Sequence, residues 1–196
     1  MAHFQNTRQP DRDWWSELWD DPDATLRALG VDDATSVLDV GCGDGFFTIP
    51  LAERVDGPVY ALDLDLDHLD CVRTEATEAG VDVHTVAGDA RDLPSLLSDR
   101  VDYVLLANTF HGVDDPNALA ATVRDVLEDG GRFGVVNWHD LPREETTVAG
   151  EVRGPPEELR LSPEATREAI EPAGFDHVET VELPPYHYGV VFERRD

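Results

Sequence analysis

The stretch SVLDVGCGDGFF, Ser36–Phe47, predicts the fold of this chain. It begins with the apolar run Val37–Val40, which is typical of a buried strand, and continues with glycine at 41, 43 and 45. A helical pattern follows from Phe46 onward. Missing Cβ atoms let a backbone turn sharply and let a bound molecule lie against it. Open α/β sheets bind ligands at the carboxyl ends of their strands, so this turn is the expected ligand site.

Strand-like and helix-like segments alternate from Ser36 to Trp138. Each parallel connection needs a covering helix, so the alternation predicts a mainly parallel sheet. One of these helices is expected over 116–131, capped by Asp115, with the fifth strand following at 132–138. The pattern then changes to a polar segment, one more helix and two final strands. Those two strands are joined through Pro184–Pro185, a short connection that favours an antiparallel pair.

The composition is strongly acidic. The chain of 196 residues has 42 acidic and 15 basic residues, a net charge of −27, and every basic residue is arginine. Molar salt shortens the Debye length to about 3 Å, which would screen such self-repulsion. We therefore expect a protein of a halophilic cytosol. Nucleic acid is disfavoured as a partner, because phosphate contacts need basic patches.

Hydropathy and cysteine content narrow the class of protein further. No apolar run of about 18 residues occurs, so we expect no membrane-spanning helix and a cytoplasmic location. The two cysteines cannot supply a four-ligand zinc site, and no bound metal is expected. We expect residues 1–11 to be disordered and residues 12–196 to form a single domain, with N-terminal helices over 12–30.

Acidic residues accompany the first three strands. Asp63 ends the second strand, where a carboxylate can accept hydrogen bonds from both hydroxyls of a ribose. Asp89 follows the third strand, where an acid could accept from the amino group of adenine. Asp39 and Asp44 flank the glycine turn and would repel a pyrophosphate, so they favour a neutral or cationic ligand. The dinucleotide fingerprint would also place its third glycine where Phe46 stands.

These motifs together resemble the class I S-adenosylmethionine-dependent methyltransferase family over residues 20–196. The first three family motifs are similar to VLDVGCGDGFFTIPLA, VYALDLD and VAGDARDLP, and the fifth to LEDGGRFGVVNW. DYVLLANTFHGVDDP lies where the fourth motif belongs. The resemblance implies an α/β fold with a Rossmann-like, seven-stranded, mostly parallel sheet. Its implied strand order is 3-2-1-4-5-7-6, with the last strand antiparallel and helices on both faces.

The resemblance also implies a cofactor and a reaction. The cofactor would be S-adenosyl-L-methionine, and a methyl group would pass to a small-molecule acceptor by in-line displacement. The nearest branch is the small-molecule type that includes ubiquinone and menaquinone biosynthesis. The implied cofactor-binding residues are Asp39, Gly41, Gly43, Gly45, Asp63, Leu64, Asp89, Ala90 and Asn108. Two alternatives remain at this point: a nicotinamide-dependent oxidoreductase, and a non-catalytic module that senses the cofactor.

Candidates for the acceptor side are fewer. His111 follows the fourth strand and is a candidate general base, because histidine titrates near neutral pH. The alternative is that His111 packs in the core or contacts cofactor backbone. Trp14 and Trp15 could cover the site, or could instead dock their helix on the sheet through an apolar stripe. His139 and Tyr186 are further candidates for substrate contact.

The polar segment 139–161 is a second candidate cover for the site. Loops of this length are usually functional or mobile. Its Arg153 could meet an anionic acceptor, or could pair with acids on the surface.

Overall fold

The computed structural model describes Leu18, Trp19 and residues 21–196. The expected disordered segment 1–11 lies outside the described residues, as do Trp14 and Trp15. Nothing in the described part of the chain is long and apolar enough, as a helix, to cross a membrane.

Six α-helices and nine strands make up the described chain. The helices are α1 (Pro22–Ala28), α2 (Thr48–Arg54), α3 (Leu66–Ala79), α4 (Leu93–Leu96), α5 (Pro116–Val126) and α6 (Pro163–Ile170). The strands are β1 (Val37–Val40), β2 (Val59–Asp63), β3 (His84–Ala87), β4 (Val101–Ala107), β5 (Leu127–Trp138), β6 (Thr147–Val148), β7 (Glu151–Val152), β8 (Phe175–Leu183) and β9 (His187–Arg194). Short 3-10 turns occur at Val31–Asp33, Ala90–Asp92, Phe110–Gly112, Arg143–Glu145, Glu157–Leu159 and Glu171–Ala173.

Seven strands form one sheet in the order β3-β2-β1-β4-β5-β9-β8. The first five are parallel, and β9 runs antiparallel to both β5 and β8. Strands β6 and β7 form a separate two-stranded hairpin. With that hairpin set aside, the order is the predicted 3-2-1-4-5-7-6, so the expected fold class is confirmed.

Three helices begin with a side-chain cap followed by proline, among them α5 with its predicted cap Asp115. The side chains of Asp21, Asp115 and Ser162 each accept a hydrogen bond from the backbone N–H three residues later, at 2.9–3.1 Å. Each is followed by proline at the first helical position, where the missing N–H has no intrahelical partner to lose. Such caps satisfy donors that the first turn of a helix leaves unpaired.

The end of α5 differs from the expectation. The helix stops at Val126, and the next five residues, which we expected to continue it, open the long strand β5. Leu127 is fully buried and pairs with Val101 of β4, after which the register shifts by an irregularity. Gly130 takes a positive φ of 72° in this stretch. Tertiary pairing here overrides the local helical preference.

Both faces of the sheet are covered, as expected for strands of nearly continuous apolar character. Leu38, Val104 and Phe133 point to one face and pack in the same core cluster as side chains of α4, α5 and α6. Val37 and Leu105 point to the other face, where α1 and α2 pack. Because both faces are occupied by helices, the exposed carboxyl edge of the sheet is left for a binding site.

Candidate functional site

A cavity of about 660 Å³ lies at the carboxyl ends of β1, β2 and β4. Its walls come from the loops after β1, β2, β3 and β4 and from part of the 139–161 segment. All of the predicted cofactor-binding residues except Gly45 line it. Gly45 instead faces α3, where an added Cβ would lie 3.2 Å from Val72 Cγ2.

The glycine turn forms the floor of the cavity. The N–H groups of Gly41 and Cys42 both donate to Leu62 O, at 2.8 and 3.1 Å, which ties the turn to the end of β2. Gly41 has a φ of +69°, and a Cβ at this position would lie 2.8 Å from Thr109 Oγ1. Positive φ and this close approach both exclude a larger residue, so the bare backbone is a requirement of the fold here.

Asp63 is held in place at the rim of the turn. Its Oδ2 accepts from Gly43 N and its Oδ1 from Asp65 N, each at 2.9 Å. His68 Nδ1 lies 3.5 Å from Oδ1, and His68 also lines the cavity. The neighbouring Leu64 side chain is 60% exposed, an unusual position for leucine, and forms part of the same wall.

Asp39 is a carboxyl group inside the protein. It is 2% exposed and accepts a hydrogen bond of 2.6 Å from Thr48 Oγ1, at the start of α2. Burial, opposed by the hydrogen bond from the Thr48 hydroxyl and assisted by the charge of Asp63, raises the pKa of Asp39 to about 7. Asp39 therefore changes its charge close to neutral pH, at the edge of the cavity.

Asp89 lies on the wall formed by the loop after β3. Its Oδ1 accepts from both Arg91 N and Arg91 Nε at 2.9 Å, and the two side chains form an ion pair. The Arg91 side chain holds the pKa of Asp89 below its usual value, against the opposing effect of burial. Ala90 lies beside it on the cavity wall.

Asn108 ends β4 in a conformation that is rare for residues other than glycine. Its φ is +56°, and its backbone N–H donates to Val136 O at 2.9 Å. Its Oδ1 is buried and has no hydrogen-bond partner among the described residues. A buried acceptor without a partner is costly, so this oxygen is positioned for a group that enters the cavity.

His111 occupies the 3-10 turn after β4 and is 8% exposed. Burial, opposed by a hydrogen bond with Asn137 and assisted by the charge of Arg160, lowers the pKa of His111 to about 4. The imidazole is therefore neutral at pH 7 and can accept a proton.

His139 and Tyr186 do not line the cavity. His139 Nε2 lies 2.9 Å from Glu182 Oε2, and Tyr186 Oη donates to Thr147 O at 2.9 Å. The ring of Tyr186 stacks on Trp138, with centroids 6.1 Å apart. Tyr186 thus packs behind the lining residue Trp138, whereas His139 pairs with Glu182 outside the cavity. Trp14 and Trp15 fall outside the described residues.

Sequence reasoning missed most of the far end of the cavity. The lining residues there that it did not single out include Phe47, Trp138, Arg143, Gly154 and Pro155. The positions of Phe47 and Trp138 near the ends of the first and fifth strands could have predicted that these aromatic residues line the cavity. Arg143 carried no such signal, because its position depends on the course of the 139–161 segment.

The comparisons with known proteins agree on one family. A family profile described as "Methyltransferase domain" matches residues 37–131. The chain is 30% identical to the demethylmenaquinone methyltransferase of Listeria monocytogenes over 116 residues, which are 58% of this chain and 48% of that protein. It is 32% identical to the tRNA 5-carboxymethoxyuridine methyltransferase of Escherichia coli over 128 residues, 63% of this chain and 48% of that protein.

A solved structure extends this match to nearly the whole chain. The crystal structure of a SAM-dependent methyltransferase from Aquifex aeolicus superposes with a TM-score of 0.78 at 25% identity, covering 94% of both chains. The curated relatives are longer, and the matched region spans only 48% of their length. Motifs, sheet order, profile match and superposition point the same way: this chain belongs to the class I S-adenosylmethionine-dependent methyltransferase family.

Proposed function

We propose that this protein transfers a methyl group from S-adenosyl-L-methionine to a small-molecule acceptor. The observation that carries the proposal is the cavity of about 660 Å³, which has the glycine turn and three carboxylates at one end and His111 and Trp138 farther along its wall. Its volume falls in the ordinary range for small-molecule sites, about 300–1,000 Å³.

The residues present fit the cofactor. Asp63 faces the cavity beside the bare turn and would hold the ribose, while Asp89 and Ala90 would bind adenine. The unpartnered Oδ1 of Asn108 can accept from an amino group. In its ionised form, Asp39 supplies negative charge near a cationic ligand, which favours binding by Coulomb attraction. When bound, the cofactor supplies an activated methyl group, so the protein need not form a covalent intermediate.

The work left to the protein is to orient the acceptor and to exclude water. Holding two reactants in line can lower a barrier by about 7–11 kcal/mol in favourable cases. The aromatic walls at Phe47 and Trp138, together with Pro155, suit an acceptor with an apolar body. His111 would receive a proton from an acceptor hydroxyl or amine as the methyl group is transferred.

The role of His111 has a direct test. Replacing it with alanine should lower turnover by about 10²-fold if it is the base, and the wild-type rate should fall only as pH drops toward about 4, where the imidazole becomes protonated. His84→Ala, at an exposed position on the edge strand β3, is the matched control. An unchanged rate in His111→Ala would assign that residue a packing role.

The central test is transfer of label. With methyl-labelled cofactor and cell extract, wild type should label a small-molecule fraction, and Asp63→Ala should not. Calorimetry should show S-adenosylhomocysteine binding and no NAD(H) binding, which separates this function from a nicotinamide-dependent oxidoreductase. Binding of S-adenosylhomocysteine without label transfer to any fraction would leave only a cofactor-sensing module.

We place the acceptor among small molecules rather than nucleic acids. The E. coli relative is named for a tRNA modification, whereas the Listeria relative is named for demethylmenaquinone. A net charge of −27 opposes approach to phosphate backbones, which supports the small-molecule branch related to quinone biosynthesis. Label recovered in the tRNA fraction would overturn this choice.

We further propose that residues 12–196 are one domain that works in a salty cytoplasm. The single seven-stranded sheet supports the first part, and the charge of −27 supports the second. The thermal unfolding midpoint should be higher at about 1 M KCl than in dilute buffer, because the Debye length falls to about 3 Å. Equal midpoints would exclude the adaptation to salt.

A further inference from the structure

We infer that the acceptor carries an anionic group, a carboxylate or a phosphate, which Arg143 and Arg153 bind. This inference rests on the proposed function, since it names the chemistry of the acceptor in the same cavity. The segment 139–161 carries six acidic residues and three arginines. Its two charged side chains that line the cavity are both arginines, and none of the six acids in this fully described segment lines it.

The two arginines are available for a ligand to different degrees. Arg143 is exposed and makes no ion pair with any residue in the described part of the chain. Arg153 forms an ion pair with Glu151, yet its Nε is buried and has no hydrogen-bond partner among residues 18–19 and 21–196. Two guanidinium groups with unused donors at one end of a cavity suit the oxygens of a carboxylate or phosphate.

A third arginine fixes the segment that carries them. Arg160 is 5% exposed and donates to the carbonyl oxygens of Leu141, Pro155 and Arg153, at 2.8–3.2 Å. It also donates to Thr146 Oγ1 at 2.9 Å. These bonds join both ends of the β6–β7 hairpin, so Arg143 and Arg153 are presented from a braced segment rather than from an unanchored loop.

The charged side chains that this segment contributes to the cavity wall are cationic, although the segment as a whole carries more acids than arginines. Burial and the charge of Arg143 both lower the pKa of Arg160, while the charge of Glu157 acts in the opposite direction. The Arg160 guanidinium lies over the Trp138 ring, with Cζ 5.6 Å from the centroid, so the aromatic wall and the cations adjoin.

The cavity also contains acids, but they come from other elements. Asp39, Asp63, Asp89, Asp114 and Asp115 belong to β1, β2 or the loops after β2, β3 and β4, and the third arginine of the lining, Arg91, is paired with Asp89. Arg143 and Arg153, by contrast, lie in the segment that follows β5. In the sheet order β3-β2-β1-β4-β5, this places them on the opposite side from β3. A cationic cofactor beside Asp39, Asp63 and Asp89 and an anionic acceptor beside Arg143 and Arg153 can therefore occupy one cavity.

The test uses simple probes. Benzoate, phenyl phosphate and the neutral isostere benzamide are titrated into the protein, with and without S-adenosylhomocysteine, and followed by ligand-observed NMR. We expect both anions to bind at least tenfold more tightly than benzamide. Arg143→Gln and Arg153→Gln should each weaken anion binding at least tenfold, whereas Arg73→Gln, an exposed arginine of α3 paired with Asp70, should not.

The outcomes separate the two proposals. Tighter binding of phenyl phosphate identifies phosphate as the anionic group, and tighter binding of benzoate identifies carboxylate. Equal binding of benzamide and the anions by wild type would overturn the inference, whatever the variants do. Anion binding that persists in a protein unable to bind S-adenosylhomocysteine would support the arginine site while rejecting the methyltransferase function.

Discussion

Replacing Asp39 with asparagine should make the protein without ligand more stable at neutral pH. The Asp39 side chain is 2% exposed, and its carboxylate accepts from Thr48 Oγ1 at 2.6 Å. The amide oxygen of asparagine can accept the same hydrogen bond in nearly the same volume. The substitution therefore removes a buried charge and changes little else.

The magnitude follows from the pKa of Asp39. Burial raises it from 3.8 to about 7, while in the unfolded chain the carboxyl titrates at its ordinary value. Between these two values the folded protein binds more protons than the unfolded chain, so the free energy of unfolding falls as pH rises. The slope is about 1.4 kcal/mol per pH unit, and the whole effect is about 4 kcal/mol. It is complete above pH 7 and absent below pH 3.8.

Urea unfolding of both proteins between pH 5 and pH 8, at one ionic strength, measures this effect. The free energy of unfolding of the variant minus that of wild type should grow by about 2 kcal/mol from pH 5 to pH 7 and then level off. Taking the difference cancels the titration of all other groups. Asp56→Asn, at an exposed position, is the control and should give a flat difference.

A flat difference for Asp39→Asn would refute the reasoning, because it would mean that Asp39 titrates at its ordinary pKa. The same substitution should weaken binding of the cationic cofactor, since the negative charge near the cavity is lost. Higher stability with weaker binding is the expected trade-off at a functional site. Calorimetry on the same two proteins measures the expected loss of cofactor affinity.

Two further substitutions test the framework of the site. Asp102→Ala should lower the free energy of unfolding by about 2 kcal/mol at pH 7, because the carboxylate accepts from the backbone N–H and hydroxyl groups of Thr35 and Ser36. Burial alone would raise the pKa of Asp102, but these bonds hold the pKa below its usual value. The decrease in the free energy of unfolding caused by Asp102→Ala should therefore become smaller in acid. Asp99→Ala, at an exposed site, is the control and should cost little stability at any pH. Arg160→Met should speed tryptic cleavage after Arg143 and Arg153, which flank the β6–β7 hairpin, by about tenfold or more, since four acceptors lose their donor. An unchanged cleavage rate would show that Arg160 does not brace the segment.

The sheet was predictable because its determinants are local. The strands β1, β2 and β4 are short apolar runs, and four of the six described helices begin with a side-chain cap. The parallel order follows from the alternation and the family motifs. The error at the end of α5 has a non-local cause. Leu127 leaves the helical path to pair with Val101, which lies 26 positions earlier in the chain, and no local pattern encodes that contact.

The two ends of the cavity also differ in whether local sequence determines them. Residues at the cofactor end directly follow strands, so their order in the sequence places them at one edge of the sheet. The acceptor end depends on how the 139–161 segment folds back, and that depends on the bonds of Arg160 to three carbonyl oxygens. Spacing rules do not describe such bonds, which is why Arg143 could not be placed from the sequence.

Because the chain is so acidic, the positions of its few arginines say more about the ligand of the cavity than the positions of its many carboxylates. Because the chain has 42 acidic residues, a carboxylate beside a cavity is expected by chance. A carboxylate near the cofactor end therefore indicates a binding role only where other groups fix its orientation. Asp63 has two backbone N–H donors and Asp89 has Arg91, so both are fixed in orientation. Arginine is scarce at 15 residues, and two of them line the acceptor end from a segment in which acids are twice as frequent. Solvation of the surface gives no reason for the arginines of this segment, rather than its acids, to line the cavity. The charge of the molecule that enters the cavity explains this arrangement best.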